Sequence, residues 1–217
     1  MENKHHLLAG IRRDYGNLKL NEQDISADPL IQFNHWFQDI LAKQLDDPTA
    51  MVLSTVDAQG APDSRVVLLK GIEQGGFVFY TNYTSAKGLQ LQANPHAALN
   101  FYWPSLVRQV RVRGLVHKLT AKQSEAYFSS RPRASQISAT ASPQSQEIPN
   151  REALELACQK LEAQYHDQAI IPCPKQWGGY VLVPNEMEFW QGRDNRLHDR
   201  VQYTNEQGQW VVCRLAP

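Results

Sequence analysis

Met51-Val52-Leu53-Ser54-Thr55-Val56 runs into Asp57-Ala58-Gln59-Gly60, and the chain turns apolar again at Arg65-Val66-Val67-Leu68-Leu69-Lys70. Short apolar stretches bounded by acid- and glycine-rich clusters predict strands joined by tight turns. The pattern continues: Ser64–Lys70 leads to Glu73-Gln74-Gly75-Gly76, then come Phe77–Thr81, Ala97–Tyr102 and a long strand from Arg108 to Lys118. Further strands are expected near Gly179–Val183, Met187–Trp190, Val201–Tyr203 and Trp210–Arg214. Consecutive antiparallel strands with helices inserted between them predict a mainly β fold with helices (α+β), a closed or split barrel. There is no regular strand–helix alternation and no Gly-x-Gly-x-x-Gly loop, which argues against a dinucleotide-binding sheet. The run Val66–Leu69 reads as a strand buried on both faces, with Arg65 and Lys70 emerging at its ends.

The helices announce themselves by their caps. Asp28-Pro29 opens one whose Phe33, Trp36, Phe37, Ile40 and Leu41 share an apolar face. Thr84 or Ser85 can cap a short helix ending at Asn94-Pro95, and Thr120 with Gln123 forms a capping box. Asn150 caps a helix with Leu154, Cys158, Leu161 and Tyr165 on one side, whereas Ser129–Arg133 and Ser138–Pro149 read as loops. Residues 1–27 are polar and weakly periodic, an arm preceding a single domain over 28–217.

In the 217 residues, Lys+Arg and Asp+Glu both number 22, so no global field draws the protein to nucleic acid or a membrane surface. Between Gly60 and Gly114, however, six bases (Arg65, Lys70, Lys87, Arg108, Arg111, Arg113) face two acids (Asp63, Glu73), which suggests a local anion site. The 3 cysteines, Cys158, Cys173 and Cys213, are widely spaced without metal-ligand spacing and read as free thiols in a reducing compartment. No apolar signal core and no bilayer-length apolar run is present, so the expected location is the cytoplasm.

Candidate chemistry gathers in four places. Glu188-Phe189-Trp190-Gln191-Gly192-Arg193-Asp194-Asn195-Arg196-Leu197-His198-Asp199-Arg200 packs guanidinium groups beside a tryptophan and a histidine able to titrate near neutrality. That composition suits a flat anionic small molecule, although a solvated hairpin would read similarly. Tyr80-Thr81-Asn82 leaves a strand, and Thr84-Ser85-Ala86-Lys87 enters a helix whose first N–H groups suit a phosphate. Tyr127, Arg131 and Ser135 are spaced by four and fall on one side of a helical segment broken by Pro132, an arrangement that suits a second phosphate and equally suits a purely structural role. Gln109 can offer its amide to a polar ring edge, although a glutamine so placed more often faces water. Arg12-Arg13-Asp14-Tyr15 alone reads as a solvated helix face.

Together the chain resembles the pyridoxine/pyridoxamine 5′-phosphate oxidase family. The resemblance is carried by Arg65–Lys70, Phe79–Asn82, Arg108-Gln109-Val110, Ser130–Ile137, Trp177-Gly178-Gly179, Glu188–Arg200 and Arg214-Leu215-Ala216-Pro217. It implies an FMN-binding split β-barrel, antiparallel and Greek-key-like, forming a homodimer with FMN at the subunit interface. The implied FMN contacts are Arg65, Val66, Val67, Leu68, Leu69, Lys70, Tyr80, Thr81, Lys87, Gln109, Gln144, Ser145, Trp190 and Arg200. Substrate phosphate would be held by Lys70, Tyr127, Arg131 and Ser135. Arg196, Leu197 and His198 would sit over the substrate ring, Arg196 and His198 as the catalytic pair, and Arg12, Arg13, Asp14 and Tyr15 would act as a lid. No metal is implied. The implied reaction oxidises pyridoxine or pyridoxamine 5′-phosphate with O2 to pyridoxal 5′-phosphate.

The chain departs from the family pattern at three points. Ala86 stands where the family usually has an arginine touching the FMN phosphate, and the resemblance then implies weaker FMN retention. Ser138 replaces a common glycine and Pro143 a common basic residue. The alternative is a non-catalytic split-barrel protein that binds FMN or pyridoxal phosphate; joint retention of Lys70, Tyr127, Arg131, Ser135, Arg196 and His198 favours the enzyme.

Overall fold

The computed structural model describes residues 15, 16, 18–44 and 47–217. The expectations for Arg12, Arg13 and Asp14 lie outside the described residues. In chain order the elements are α1 (Pro29–Leu41), β1 (Ala50–Val56), β2 (Pro62–Leu68), β3 (Gly71–Glu73), β4 (Gly76–Asn82), α2 (Ala86–Ala93), β5 (His96–Trp103) and β6 (Arg108–Lys118). There follow α3 (Ala121–Ser130), α4 (Arg133–Ala141), α5 (Arg151–Gln164), β7 (Trp177–Gln191), β8 (Asp199–Glu206) and β9 (Gln209–Leu215). The fold is mainly β with helices. Hydrogen bonding orders the strands β2-β1-β5-β6-β7-β4-β3, with β8 pairing β7 and β9. The chain clusters into two compact units, one of residues 1–48, 101–111 and 186–217, the other of residues 49–100 and 112–185.

In the first unit, Asp28 caps α1 by accepting a hydrogen bond from Leu30 N at 2.8 Å, with proline at the helix start. Phe33, Trp36 and Ile40 then fall on one buried stripe. The Phe33 ring meets Phe101 at 5.0 Å, and Trp36 stands edge-on to Phe189 at 5.2 Å. Fully burying such a side chain contributes roughly 1.5–3 kcal/mol. Leu41, expected on the same stripe, closes the helix and is 43% exposed. β8 pairs antiparallel with the end of β7 (Trp190↔Arg200) and with β9 (Tyr203↔Val212).

In the second unit, β1 and β2 form the expected hairpin in register Val52↔Val66. The expectation that Val66–Leu69 is buried on both faces is corrected. β2 lies at the end of the strand order, and Val66 is 65% and Leu68 36% exposed. At the end of the run the chain changes partner. Leu69 N donates to Thr49 O at 2.9 Å, and the next residue, Lys70, donates to Val78 O at 2.8 Å. The short β3 follows, closed onto β4 by a turn at Gln74-Gly75. β3 itself was hidden in what the sequence presents as turn residues.

Ser138–Ala141, expected as loop, is the end of helix α4. Pro132 breaks α3 but also starts α4, since its carbonyl accepts from Ser135 N and Gln136 N at 2.8 and 3.1 Å. Burial of Gln136 and Ile137 holds α4 in place, and within it the hydroxyls of Ser138 and Thr140 are satisfied by donating back one turn, to Ala134 O and Gln136 O. The two expected strands Gly179–Val183 and Met187–Trp190 are one strand, β7. Ile137 buries with Phe128, Ile171 and Trp177 in a small core, against which Cys158, Leu161 and Tyr165 pack.

Candidate active site

A cavity of about 580 Å³ opens in the second unit. Its floor is the end of β2, where Val66, Val67, Leu68 and Lys70 line it; Tyr80, Thr81 and Asn82 enter from β4 and Lys87 from α2. Opposite stand Tyr127, Arg131, Pro132 and Ser135 at the α3–α4 corner, with Gln144 and Trp177. The fold thus brings together the phosphate trio spaced by four and most of the residues expected around a cofactor. Leu69 is buried beside them, and Ser145 lies in the loop after α4 with a left-handed φ of 69°.

The β4–α2 corner is built to hold its lysine still. Asn82 Oδ1 accepts from Thr84 N at 2.8 Å, and Ser85 Oγ caps α2 by accepting from Gly88 N at 3.3 Å. Lys87 Nζ then reaches Gln144 Oε1 at 3.3 Å, and the same oxygen accepts from Thr81 Oγ1 at 2.8 Å. Burial, and next the charge of Arg65, push the Lys87 pKa down. A partly desolvated ammonium beside a second cation at a helix start favours an anion. Arg65 itself is held by the protein: its guanidinium donates to Thr55 Oγ1 at 2.5 Å and to Gln90 Oε1 at 3.0 Å, and pairs with Asp63.

At the other end, Tyr80 stacks on Tyr127 with centroids 3.8 Å apart, and Trp177 lies parallel to Tyr80 at 5.4 Å. Burial raises the hydroxyl pKa of both tyrosines, Tyr80 to about 12, so both are neutral donors at physiological pH. The Arg131 guanidinium lies 4.9 Å from the Trp177 ring centroid. Its backbone is fixed by Gln136 Nε2, which donates to Arg131 O at 2.8 Å. Arg133 clamps the corner from behind, donating to Glu162 and to the carbonyls of Gln168 and Tyr165. Arg131 Nη1 is buried with no hydrogen-bond partner among the described residues. A buried guanidinium N–H left unpaired is costly and calls for an acceptor.

The remaining expected residues belong to the first unit. Trp190 and His198 lie with ring centroids 4.7 Å apart, and Tyr15 stands edge-on to His198 at 5.3 Å. His198 Nδ1 lies 3.1 Å from Arg193 N and accepts its proton, which leaves the neutral ring its own proton on Nε2. Burial, then the Arg196 charge, lower the His198 pKa. An NMR titration should therefore give a midpoint below the ordinary histidine value. Because the unfolded ring takes up its proton at a higher pH than the folded one, His198 favours folding at neutral pH. That contribution is lost as pH falls through the ordinary histidine value towards the folded midpoint. A midpoint at or above the ordinary value would contradict the desolvated, cation-flanked ring.

Arg196 and Leu197 are exposed, with Arg196 at φ 60°. Arg200 is paired with the buried Glu188, at 2.8 Å from Nε, and donates to Ala216 O at 2.9 Å; its pKa rises accordingly. Glu188 also accepts from Arg111 at 3.0 Å. Gln109 is half-buried on β6. The sequence reading assigned no role to Asn82, Trp177 or Glu188. Trp177 was visible in a quoted motif, but its parallel stack with Tyr80 depends on a contact between distant segments. Among the described residues, no group of three or more His, Cys, Asp or Glu side chains is arranged to hold a metal, and no helix is long and apolar enough to cross a membrane.

Residues 37–165 match the family described as pyridoxamine 5′-phosphate oxidase, more than half of the chain. The chain belongs to the pyridoxamine 5′-phosphate oxidase family. Residues 177–217 match the pyridoxine 5′-phosphate oxidase C-terminal dimerisation region. The chain is 60% identical over 210 residues to the pyridoxine/pyridoxamine 5′-phosphate oxidase of Legionella pneumophila (strain Paris), covering 97% of each. It is 49% identical over 211 residues to the enzyme of the same name from Cupriavidus pinatubonensis, covering 97% of this chain and 99% of that one. Among solved structures, PhzG from Burkholderia lata 383, in complex with tetrahydrophenazine-1-carboxylic acid, superposes with a TM-score of 0.88 at 28% identity, covering 94% of this chain and 100% of that one. A pyridoxamine 5′-phosphate oxidase-related, FMN binding protein from Nostoc punctiforme has the same fold, with a TM-score of 0.68 at 20% identity over 85% of this chain and 97% of that one. The split-barrel reading and the assignment to an oxidase family thus hold.

Proposed function

We propose that this protein oxidises pyridoxine 5′-phosphate and pyridoxamine 5′-phosphate to pyridoxal 5′-phosphate, with FMN as cofactor and O2 as oxidant, in vitamin B6 synthesis and salvage in the cytoplasm. The observation that carries the reading is the buried Nη1 of Arg131, without a hydrogen-bond partner among the described residues, in a cavity also lined by Lys70, Tyr127 and Ser135. Those four groups offer two charges and two hydroxyls to one phosphate, as the substrate requires. The same cavity supplies what an FMN phosphate and ring need: Lys87, Thr81 and Gln144 as polar partners, beside the backbone of β2.

FMN, held by Lys87, Thr81 and Gln144 beside β2, would supply the two-electron redox chemistry that takes the substrate 4′ carbon to the aldehyde, with O2 as the final acceptor and hydrogen peroxide as its product. With the amine substrate, hydrolysis of the imine product releases ammonia. The chain's own residues bind and orient. Arg131 and its neighbours fix the phosphate, Arg196 clamps the substrate and offsets charge developing on its ring oxygen, and His198 presents a neutral imidazole with Nε2–H as donor. The active form is a homodimer with FMN between the subunits, in keeping with the dimerisation region. Residues 28–217 act as one flavin-binding domain and residues 1–27 as its lid.

The test is anaerobic mixing of the FMN-loaded protein with pyridoxine 5′-phosphate. Bleaching of the flavin absorbance matched by aldehyde formation is expected, and far slower bleaching with unphosphorylated pyridoxine. Persistent yellow colour with the phosphorylated substrate would contradict the reading. A second expectation concerns Ala86, the first residue of α2. Ala86→Arg should tighten FMN binding about tenfold or more, one charge-assisted hydrogen bond contributing roughly 1.5–3 kcal/mol. An unchanged dissociation constant, read by flavin fluorescence, would show that Lys87 and its neighbours already satisfy the phosphate.

A further inference from the structure

The N-terminal segment is tied to the loop that carries Arg196 and His198. Tyr15 N and Gly16 N both donate to Asp194 Oδ1, at 3.1 and 3.2 Å. Two successive amides converge on one carboxylate oxygen here, with Gly16 at φ +79°, a conformation that residues with a Cβ rarely adopt. Held this way, the Tyr15 ring stands edge-on to His198 at 5.3 Å and to Trp190 at 6.2 Å. The fit is close: a Cβ added at Gly192 would lie 3.1 Å from Tyr15 Cδ1. Asp194 is itself fixed by a sharp turn, its carbonyl accepting from Leu197 N at 3.2 Å while Asn195 and Arg196 take φ values of 55° and 60°.

A few residues on, the same segment has a different kind of tie. Leu20 N donates to the buried Asp199, which is also paired with Arg193 and Arg214, and Arg214 in turn holds Leu20 O and Glu22. That charged network is an anchor. Among the described residues no cation pairs with Asp194; its oxygen is held by two neutral amides alone. A bond of that kind is the weaker of the two and the one that can open while the anchor stays.

We propose that Asp194 is a positioning residue, whose carboxylate latches Tyr15-Gly16 so that Tyr15 closes against Trp190 and His198 and retains the substrate. The substrate clause rests on the functional reading above. The test compares Asp194→Ala, Asp194→Asn (which keeps an acceptor oxygen) and Tyr15→Ala in the full-length, FMN-loaded protein. It reads amide hydrogen exchange at Tyr15 and Gly16 alongside KM and kcat for pyridoxine 5′-phosphate. Asp194→Ala should speed exchange at both amides and raise KM roughly fivefold to thirtyfold, with kcat held within about threefold. Asp194→Asn should restore most of both, and Asp194→Ala should add nothing in the Tyr15→Ala background. Unchanged exchange, or faster exchange with unchanged KM, overturns the proposal. So does a fall in kcat and thermal stability that Asn fails to rescue, since that marks a structural role only. If the wild type turns over nothing, the functional reading and the substrate clause fail together, and the exchange arm still decides the latch.

Discussion

Arg131→Met should raise the KM for pyridoxine 5′-phosphate at least a hundredfold while leaving the unliganded protein as stable as the wild type. Two charge-assisted bonds from a guanidinium to phosphate are each worth roughly 1.5–3 kcal/mol, and about 1.4 kcal/mol is a factor of ten. The stability half of the expectation is unusual for a partly buried arginine. Burial already pushes the Arg131 pKa down, and among the described residues its Nη1 has no partner to lose. Methionine keeps much of the contact with Trp177 and removes an unsatisfied donor, so little or nothing is lost in the empty protein. Arg131→Lys should be nearly as damaging to KM, because an ammonium lacks both the fork and the flat face that stacks at 4.9 Å on Trp177. Steady-state kinetics and thermal melts without substrate check both halves. A lowered melting temperature with an unchanged KM would make Arg131 a structural residue.

Gly88→Ala should destabilise the protein by ~3 kcal/mol or more, lower its melting temperature by roughly 6–12 °C and weaken FMN binding. Propensity alone predicts the opposite sign, since alanine in place of a helical glycine gains about 0.5–1 kcal/mol. Packing decides the matter. A Cβ at Gly88 would lie 2.3 Å from Tyr83 O and 2.8 Å from Asn82 O, both backbone atoms. Neither can swing aside as a flexible side chain would, so α2 must move as a body. That movement would carry Lys87 away from Gln144 and disturb the Ser85 cap. A melting temperature at or above the wild-type value would show that the corner yields more easily than its contacts imply.

Features that depend on neighbours in the chain were legible in the sequence. The N-caps at Asp28, Ser85, Thr120 and Asn150 all form, the Thr120–Gln123 capping box included, because each involves only a few consecutive residues. The hairpin of β1 and β2 and the long β6 followed from turn chemistry and alternation. Tyr127, Arg131 and Ser135 do converge, their spacing of four surviving the break at Pro132 because that residue starts the next helix.

What could not be read depended on partners far along the chain. The exposure of Val66 and Leu68 follows from the position of β2 at the end of the strand order, which the apolar run cannot encode. Helix α4 carries Ser135, Ser138 and Thr140 among its alanines, which blurred its end in the sequence, and it is anchored by buried Gln136 and Ile137. Trp177 becomes a wall of the cavity only when β7 brings it beside Tyr80. The role proposed for Asp194 depends on Tyr15 and Gly16, distant in sequence and joined to it only by folding.

The most direct measurement is oxygen uptake by the purified protein with excess FMN on addition of pyridoxine 5′-phosphate. Consumption of O2 matched mole for mole by pyridoxal 5′-phosphate, and lost in Arg131→Met at the same substrate concentration, is the predicted result. Tight FMN binding with no oxygen uptake and no aldehyde would contradict the account, leaving a protein of this family that holds flavin without oxidising the phosphorylated vitamin.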